Sequence, residues 1–391
     1  MPLRILIALS LLKMLACGQE AQVFSIPPGA MAKAKANASS LKPALKKLIT
    51  EADKALDQKP LSVMDKPKTW PGVDKHDYFS TAPYFWPNPE TKDGLPYIRK
   101  DGQRNPESHN EHSDSSRMGK IMNAAETLAF AYCFTGKEAY AEHAAKLLHV
   151  WFLDASTRMN PNYDHAQAVP GINSGRGIGM IESRSLTDAC DAVALLRESK
   201  SWSKPDDEGF TQWMRAFLDW SQTSKNGRDE AAAKNNHGMF YDMQVTHFAL
   251  FLGETNLARR IVEEAKTKRL AAQIEPDGSL PLELAREDSF GYSRFNVQAM
   301  FDLALLGEHV GVDLWHYESP KGVSVRKALD FLVPFVEDPA KPWPYERSKK
   351  TTRTLGWLPR RAYVVYHDER YRKLMEKNSE SSRDALFWPV K

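Results

Sequence analysis

Residues 118–151 read MGKIMNAAETLAFAYCFTGKEAYAEHAAKLLHVW. Apolar side chains at Met118, Ile121, Met122, Ala125, Leu128, Ala129 and Tyr132 fall on one face of a helix. Phe134-Thr135-Gly136-Lys137-Glu138 breaks the stripe, and a second helical pattern runs through Trp151. Glycine just past an apolar stripe is a stop signal, because it enters the left-handed conformation without a Cβ clash. The same break recurs at Phe251-Leu252-Gly253-Glu254 and at Leu305-Leu306-Gly307-Glu308. Repeated helix–Gly–helix units predict stacked helical pairs. The chain therefore reads as all-α, a toroid or solenoid of helical hairpins.

Working outward, Ala32, Ala34, Ala36, Leu41, Ala44, Leu45, Leu48 and Ile49 predict a helix over about 30–57. Further helices are expected near 182–199, 206–224, 323–337 and 355–377. Residues 58–114 have no sustained period and are rich in proline, aromatics and charge, with room for a small strand element. A long irregular stretch of this kind is often functional. It carries Tyr84-Phe85-Trp86-Pro87 and Leu95-Pro96-Tyr97-Ile98-Arg99.

The 391 residues, 42% hydrophobic and 26% charged, fit an ordinary globular chain. A net charge of +3 with no basic stripe or known module argues against a nucleic-acid partner. Arg4, the apolar run Ile5–Leu12 and the small residues around Leu15-Ala16-Cys17-Gly18 predict a secretory leader over 1–22, too short to span a membrane. Met14-Leu15-Ala16-Cys17 also resembles a lipobox, which would make Cys17 a lipid anchor; Met14 and Lys13 depart from that pattern. The expected product is a periplasmic or secreted chain, 23–391, forming one domain with no transmembrane segment. Cys133 and Cys190 sit in apolar helical stretches and read as a buried pair of free thiols, with a disulfide between them as the alternative.

Two stretches carry candidate chemistry. Lys234-Asn235-Asn236-His237-Gly238 places two amides and an imidazole at a helix start, where they can converge on an anion. Glu283-Leu284-Ala285-Arg286 is followed by Tyr292. Each alone reads as capping or packing; together they suit elimination on a uronate. The C5 proton beside an ionised carboxylate is hard to remove, so a site must neutralise that carboxylate. Asn236, His237 and Arg286 can do so. A base must take the proton and an acid must protonate the leaving oxygen, and Tyr292 can serve in either role. Its ordinary pKa of about 10 is too high for a neutral-pH base, and Arg286 nearby is expected to lower it.

These motifs, with Tyr84-Phe85-Trp86-Pro87, Asn160-Pro161-Asn162-Tyr163, Gly175-Arg176-Gly177 and Glu182-Ser183-Arg184, resemble the alginate-lyase-like superfamily, nearest to polysaccharide lyase family 38, over about 70–370. The resemblance implies an (α/α) toroid, an incomplete barrel with a long cleft, no metal or other cofactor, and an anionic polysaccharide as partner. It implies alginate, especially mannuronate-rich, or glucuronan as substrate. It sets Tyr292 and His237 on catalytic positions, and Asn236 and Arg286 on carboxylate-neutralising ones. It further implies a syn route with Tyr292 as base and acid, or, for the epimeric sugar, His237 as base and Tyr292 as acid.

Tyr84, Trp86, Tyr97 and Tyr345 can stack on sugar rings or pack in a core; Arg99, Arg176 and Arg184 can meet substrate carboxylates or form salt bridges; Gln167 can bond sugar hydroxyls. Glu230 can orient His237 or lie on a solvated helix face. His109, His112 and Asp114 have loose metal-ligand spacing, though a loop leading to a capped helix explains them better. Two rival functions remain: a toroid glycoside hydrolase using a carboxylate pair among Glu182, Glu283, Glu287 and Asp288, and a non-catalytic glycan-binding lipoprotein.

Overall fold

The computed structural model describes residues 22–390 except 68, 71, 346, 348–352 and 377–380, so the expected leader and the lipid anchor expected at Cys17 lie outside the described residues. The first expected helix is two: α1 (Ala30–Ala36) and α2 (Lys42–Ala55). Pro43 sits in the first turn of α2, where its fixed φ and missing N–H are tolerated, so it restarts a helix rather than continuing one.

The helical hairpin expected over 118–151 is present. α3 (Asp114–Thr135) ends at Gly136, whose φ of 65° is left-handed, and α4 (Glu138–Phe152) follows. After α5 (Leu186–Leu196), α6 (Lys204–Thr223) and α7 (Lys225–Ala231), a second hairpin joins α8 (Asn236–Phe251) to α9 (Thr255–Ala265) through Gly253, again at positive φ. The third glycine behaves differently. Gly307 lies inside α10 (Ser289–His309), buried, and the helix stops before Gly311 instead. A Cβ at Gly307 would collide with the Val312 carbonyl, so this glycine serves a close return of the chain. α11 (Val325–Leu332), α12 (Leu358–Tyr366), α13 (Glu369–Met375) and α14 (Ser382–Phe387) follow, with short helical turns at Ala271–Gln273, Pro281–Leu284 and Pro334–Glu337 between the longer helices.

Two kinds of helix build the toroid. α9 buries Ala258, Val262 and Ala265 and turns its arginines and glutamates outward, as an outer helix should. In α8 every residue from Gly238 to Phe251 is buried, which fits an inner helix walled on all sides. α8 packs on α5, α6, α9 and α10, and α3 packs on α2, α4 and α5. The irregular 58–114 stretch contributes β1 (Phe79–Thr81), β2 (Phe85–Trp86) and β3 (Ile98–Arg99). β1 runs parallel to β4 (His165–Ala168), with a register shift between Phe79↔His165 and Thr81↔Ala168; β2 pairs antiparallel with β3. Lys66, fully buried, ties this stretch down: its ammonium donates to Asp114 and to the carbonyls of Val63, Lys75 and Asp77. Among the described residues no helix is long and apolar enough to cross a membrane.

Candidate active site

One cleft of about 1330 Å³ opens between the inner helices and the β1–β4 loops. Eight arginines and five carboxylates line it, with no lysine. A surplus of fixed guanidinium charge suits a polyanion.

Tyr292, in the first turn of α10, is the centre of one wall. Its oxygen accepts from the Arg286 guanidinium at 2.9 Å and donates to Tyr84 Oη at 2.6 Å. The Arg286 side chain also lies over the Tyr292 ring, 3.8 Å from its centroid. The expected lowering of the Tyr292 pKa does not occur. Burial and the hydrogen bond to Tyr84 raise it well above the ordinary tyrosine value, and Arg286 only partly opposes them. Arg286 is also held bidentately by Asp101, at 2.7 and 3.0 Å. That pairing holds the Asp101 carboxyl down at about 2, so Asp101 is ionised and the pair is neutral overall.

On the facing helix, Asn235 is the N-cap of α8: its side chain accepts from His237 N–H. The amides beside it do converge on an anion, but the anion is the protein's own. Glu283 accepts from Asn236 N at 2.6 Å and Asn236 Nδ2 at 2.7 Å, and from Asn296 Nδ2 at 3.1 Å. Burial raises the Glu283 pKa even so. His237 Nδ1 lies 2.9 Å from Oε1 of Glu230, a fully buried carboxylate, which leaves Nε2 for the cleft that His237 lines. Glu230 is therefore not on a solvated face. Gly238 permits the arrangement, since a Cβ there would strike the Ala233 carbonyl and the Arg269 guanidinium.

Tyr84, Arg99, Gln167 and Arg184 line the same cleft. Arg184 rests near the Phe295 ring and Arg99 pairs at 3.4 Å with Asp101. Trp86 and Tyr345 are not among the lining residues. Trp86 donates to the Gln103 carbonyl, and Tyr345 packs on Trp343 and Phe331 while staying partly exposed. Tyr97 likewise donates to Glu107, and burial pushes it up to about 12. His109, His112 and Asp114 do not gather: Asp114 is bound by Lys66 and Arg117, and His109 by Arg104. Among the described residues no group of His, Cys, Asp and Glu could hold a metal ion. Among the described residues neither Cys133 nor Cys190 forms a disulfide. Sequence reasoning missed Asp101 and the holding role of Glu283. Glu283 lay inside the quoted motif, whereas Asp101 reaches Arg286 from 185 residues away with no local signal.

A helical toroid whose arginine-rich cleft pairs a phenol with a carboxylate-anchored imidazole defines an enzyme of the polysaccharide lyase class. The family described as alginate lyase matches residues 62–343, and the chain belongs to that family. It is similar to a crystallised alginate lyase from Bacteroides ovatus at 41% identity and a TM-score of 0.88, covering 95% of this chain and 100% of that one. Alginate lyase A1-III from Sphingomonas species A1 shares the fold at 18% identity and a TM-score of 0.55, over 88% of this chain and 95% of that one. A tetrasaccharide complex of an alginate lyase A1-III variant aligns at 19% identity and a TM-score of 0.57, over 90% and 89%. Among curated proteins none matches the chain. Family membership sets aside the hydrolase and the binder, and the geometry agrees for two proposed carboxylates: Glu182 is taken up by Tyr78, Ser80 and Gln167, and Glu283 by Asn236 and Asn296.

Proposed function

We propose that this lyase cleaves a 1,4-linked uronate polymer, alginate (mannuronate-rich above all) or glucuronan, by β-elimination. The supporting observation is the pairing of a protonated phenol, Tyr292, with an imidazole whose Nδ1 is fixed by Glu230 in one cleft. One base removes the C5 proton, the C4–O bond breaks, a C4=C5 double bond forms, and the leaving oxygen takes a proton from Tyr292. Where the C5 proton faces His237, Nε2 is the base and the resting phenol is already the acid. Where it faces Tyr292, the phenol must first ionise, then return the same proton to the leaving oxygen. Asn236 and Arg286 neutralise the reacting carboxylate in this scheme. Similarity to the Bacteroides ovatus alginate lyase supports alginate. The leader over 1–22 supports export to the periplasm or beyond, with 23–391 as a single catalytic domain.

The test is ultraviolet absorbance of unsaturated uronate ends from poly-mannuronate, poly-guluronate and glucuronan, each offered separately. A rise that Tyr292→Phe abolishes is expected. New reducing ends without that absorbance would mean hydrolysis and overturn the scheme.

A further inference from the structure

Arg286, the cation expected to meet a substrate carboxylate, already has one in Asp101. Arg176 does not. Its Nε donates to the Gln167 carbonyl at 3.1 Å and its Nη2 to Gln167 Oε1 at 3.0 Å, both neutral acceptors. It forms no ion pair with any described carboxylate. Its guanidinium lies 5.0 Å from the Phe85 ring centroid, and burial pulls its pKa down to about 10. A half-buried guanidinium with no paired carboxylate, only the more distant charges of Glu182 and Glu230, is an arrangement that an arriving anion would stabilise.

The surroundings keep it that way. Glu182 is anchored by Tyr78 Oη at 2.8 Å and Ser80 Oγ at 2.5 Å. It accepts from Gln167 Nε2 at 3.2 Å, which turns Gln167 Oε1 toward Arg176. Gln167 is buried and its φ of 49° is left-handed, a strained position for a residue with a Cβ. A neutral amide thus stands between the acid and the arginine: it aims the guanidinium without cancelling it. Gly177, the next residue, packs against Asn226 and Glu230, so Arg176 enters the cleft beside the segment that fixes His237.

We infer that Arg176, aimed by Gln167, is the cation that holds a carboxylate of the bound uronate chain on the His237 side of the cleft. Gln167 is then a positioning residue rather than a binder of sugar hydroxyls. This inference rests on the uronate lyase reading, and it adds a charge contact to a carboxylate other than the reacting one that Arg286 meets in that scheme.

Two variants test it on the mature chain with poly-mannuronate and with its carboxyl-reduced, neutral counterpart. Arg176→Gln removes the charge; Gln167→Glu keeps the arginine and supplies it with an internal carboxylate of the same shape. Both should raise KM for poly-mannuronate about tenfold or more, the worth of a charge-assisted contact. In both, kcat should stay within about threefold, because ground-state binding is what is lost. The rise of KM with salt should become shallower, and binding of the neutral polymer should not change. An unaltered KM in a folded variant, or a loss confined to kcat, overturns the assignment. Thermal unfolding checks the fold; if Arg176→Gln does not fold, Gln167→Glu decides alone. A wild-type chain that releases no unsaturated ends from any uronate polymer sinks the lyase reading and this inference with it. An active wild type with unmoved variants sinks the inference only.

Discussion

The phenolic oxygens of Tyr292 and Tyr84 lie 2.6 Å apart, with Tyr292 donating. That bond stabilises the neutral phenol and, after burial, is the largest reason the Tyr292 pKa is raised. Removing it must move the pKa down. For a substrate that uses Tyr292 as base, kcat/KM rises with pH as the phenolate appears, and in Tyr84→Phe that rise should begin at lower pH. The pH profile of kcat/KM on poly-mannuronate, which reports the free enzyme, is the measurement. A rise that begins at the same or higher pH would mean that Tyr84 does not tune this phenol.

The same relationship shows what a sequence reading can and cannot reach. Tyr292, His237, Asn236 and Arg286 were legible because each lies in a short run at a helix start, where side chains close in sequence share a direction. The hairpins were legible from period and glycine, except at Gly307, where close approach of Val312 and not a turn requires the missing Cβ. The sign of the Tyr292 shift was not legible. It depends on burial and on Tyr84, 208 residues away, neither of which a local pattern encodes. Trp86 and Tyr345 fall outside the cleft lining, which was not legible because aromatic composition says nothing about which way a loop turns its rings.

Glu230 acts through His237 and should behave as a positioning residue. Glu230→Gln removes the charge that fixes Nδ1–H and permits the wrong tautomer. A loss of about 10²-fold or more in kcat is expected, by analogy with carboxylate-to-amide changes behind a catalytic histidine. The loss should be larger on the polymer whose C5 proton faces His237 than on its epimer. Equal losses on poly-mannuronate and poly-guluronate would point to a structural role alone.

Asp101 links the site to acid stability. Its folded pKa of about 2 lies below the ordinary 3.8, so the pair with Arg286 contributes stability that is complete above about 3.8 and lost as pH falls through about 2. Asp101→Asn should therefore lower the melting temperature near neutral pH and show a weaker further decline between about pH 4 and 2. Parallel declines in variant and wild type would show that Arg286 does not hold this carboxylate in solution.

Gly238 follows His237 directly and has no room for a side chain against the Ala233 carbonyl and Arg269. Gly238→Ala should cost about 1–3 kcal/mol through overpacking and should also displace His237, so activity falls beyond what the lower stability explains. Assay well below the melting temperature separates the two effects. Full activity there would mean that the helix start tolerates the shift.

Arg269 reaches the same turn from the far side. It is buried, bonds both oxygens of buried Asp242 at 2.7 and 2.9 Å, and donates at 2.8 Å to the carbonyls of Ala231 and Ala233 at the end of α7. Asp242→Asn leaves a buried guanidinium uncompensated and should cost about 3–5 kcal/mol, read as a lower denaturant midpoint. Replacing both partners by apolar side chains, Arg269→Met with Asp242→Leu, should recover most of that stability, because neither charge is then stranded. It should not recover activity. The two carbonyls lose their donor, and the turn that carries Asn235, Asn236 and His237 is no longer tied to the core. A double variant that is stable and fully active would show that the ion pair serves stability alone and that the Glu283 and Glu230 contacts hold the site unaided.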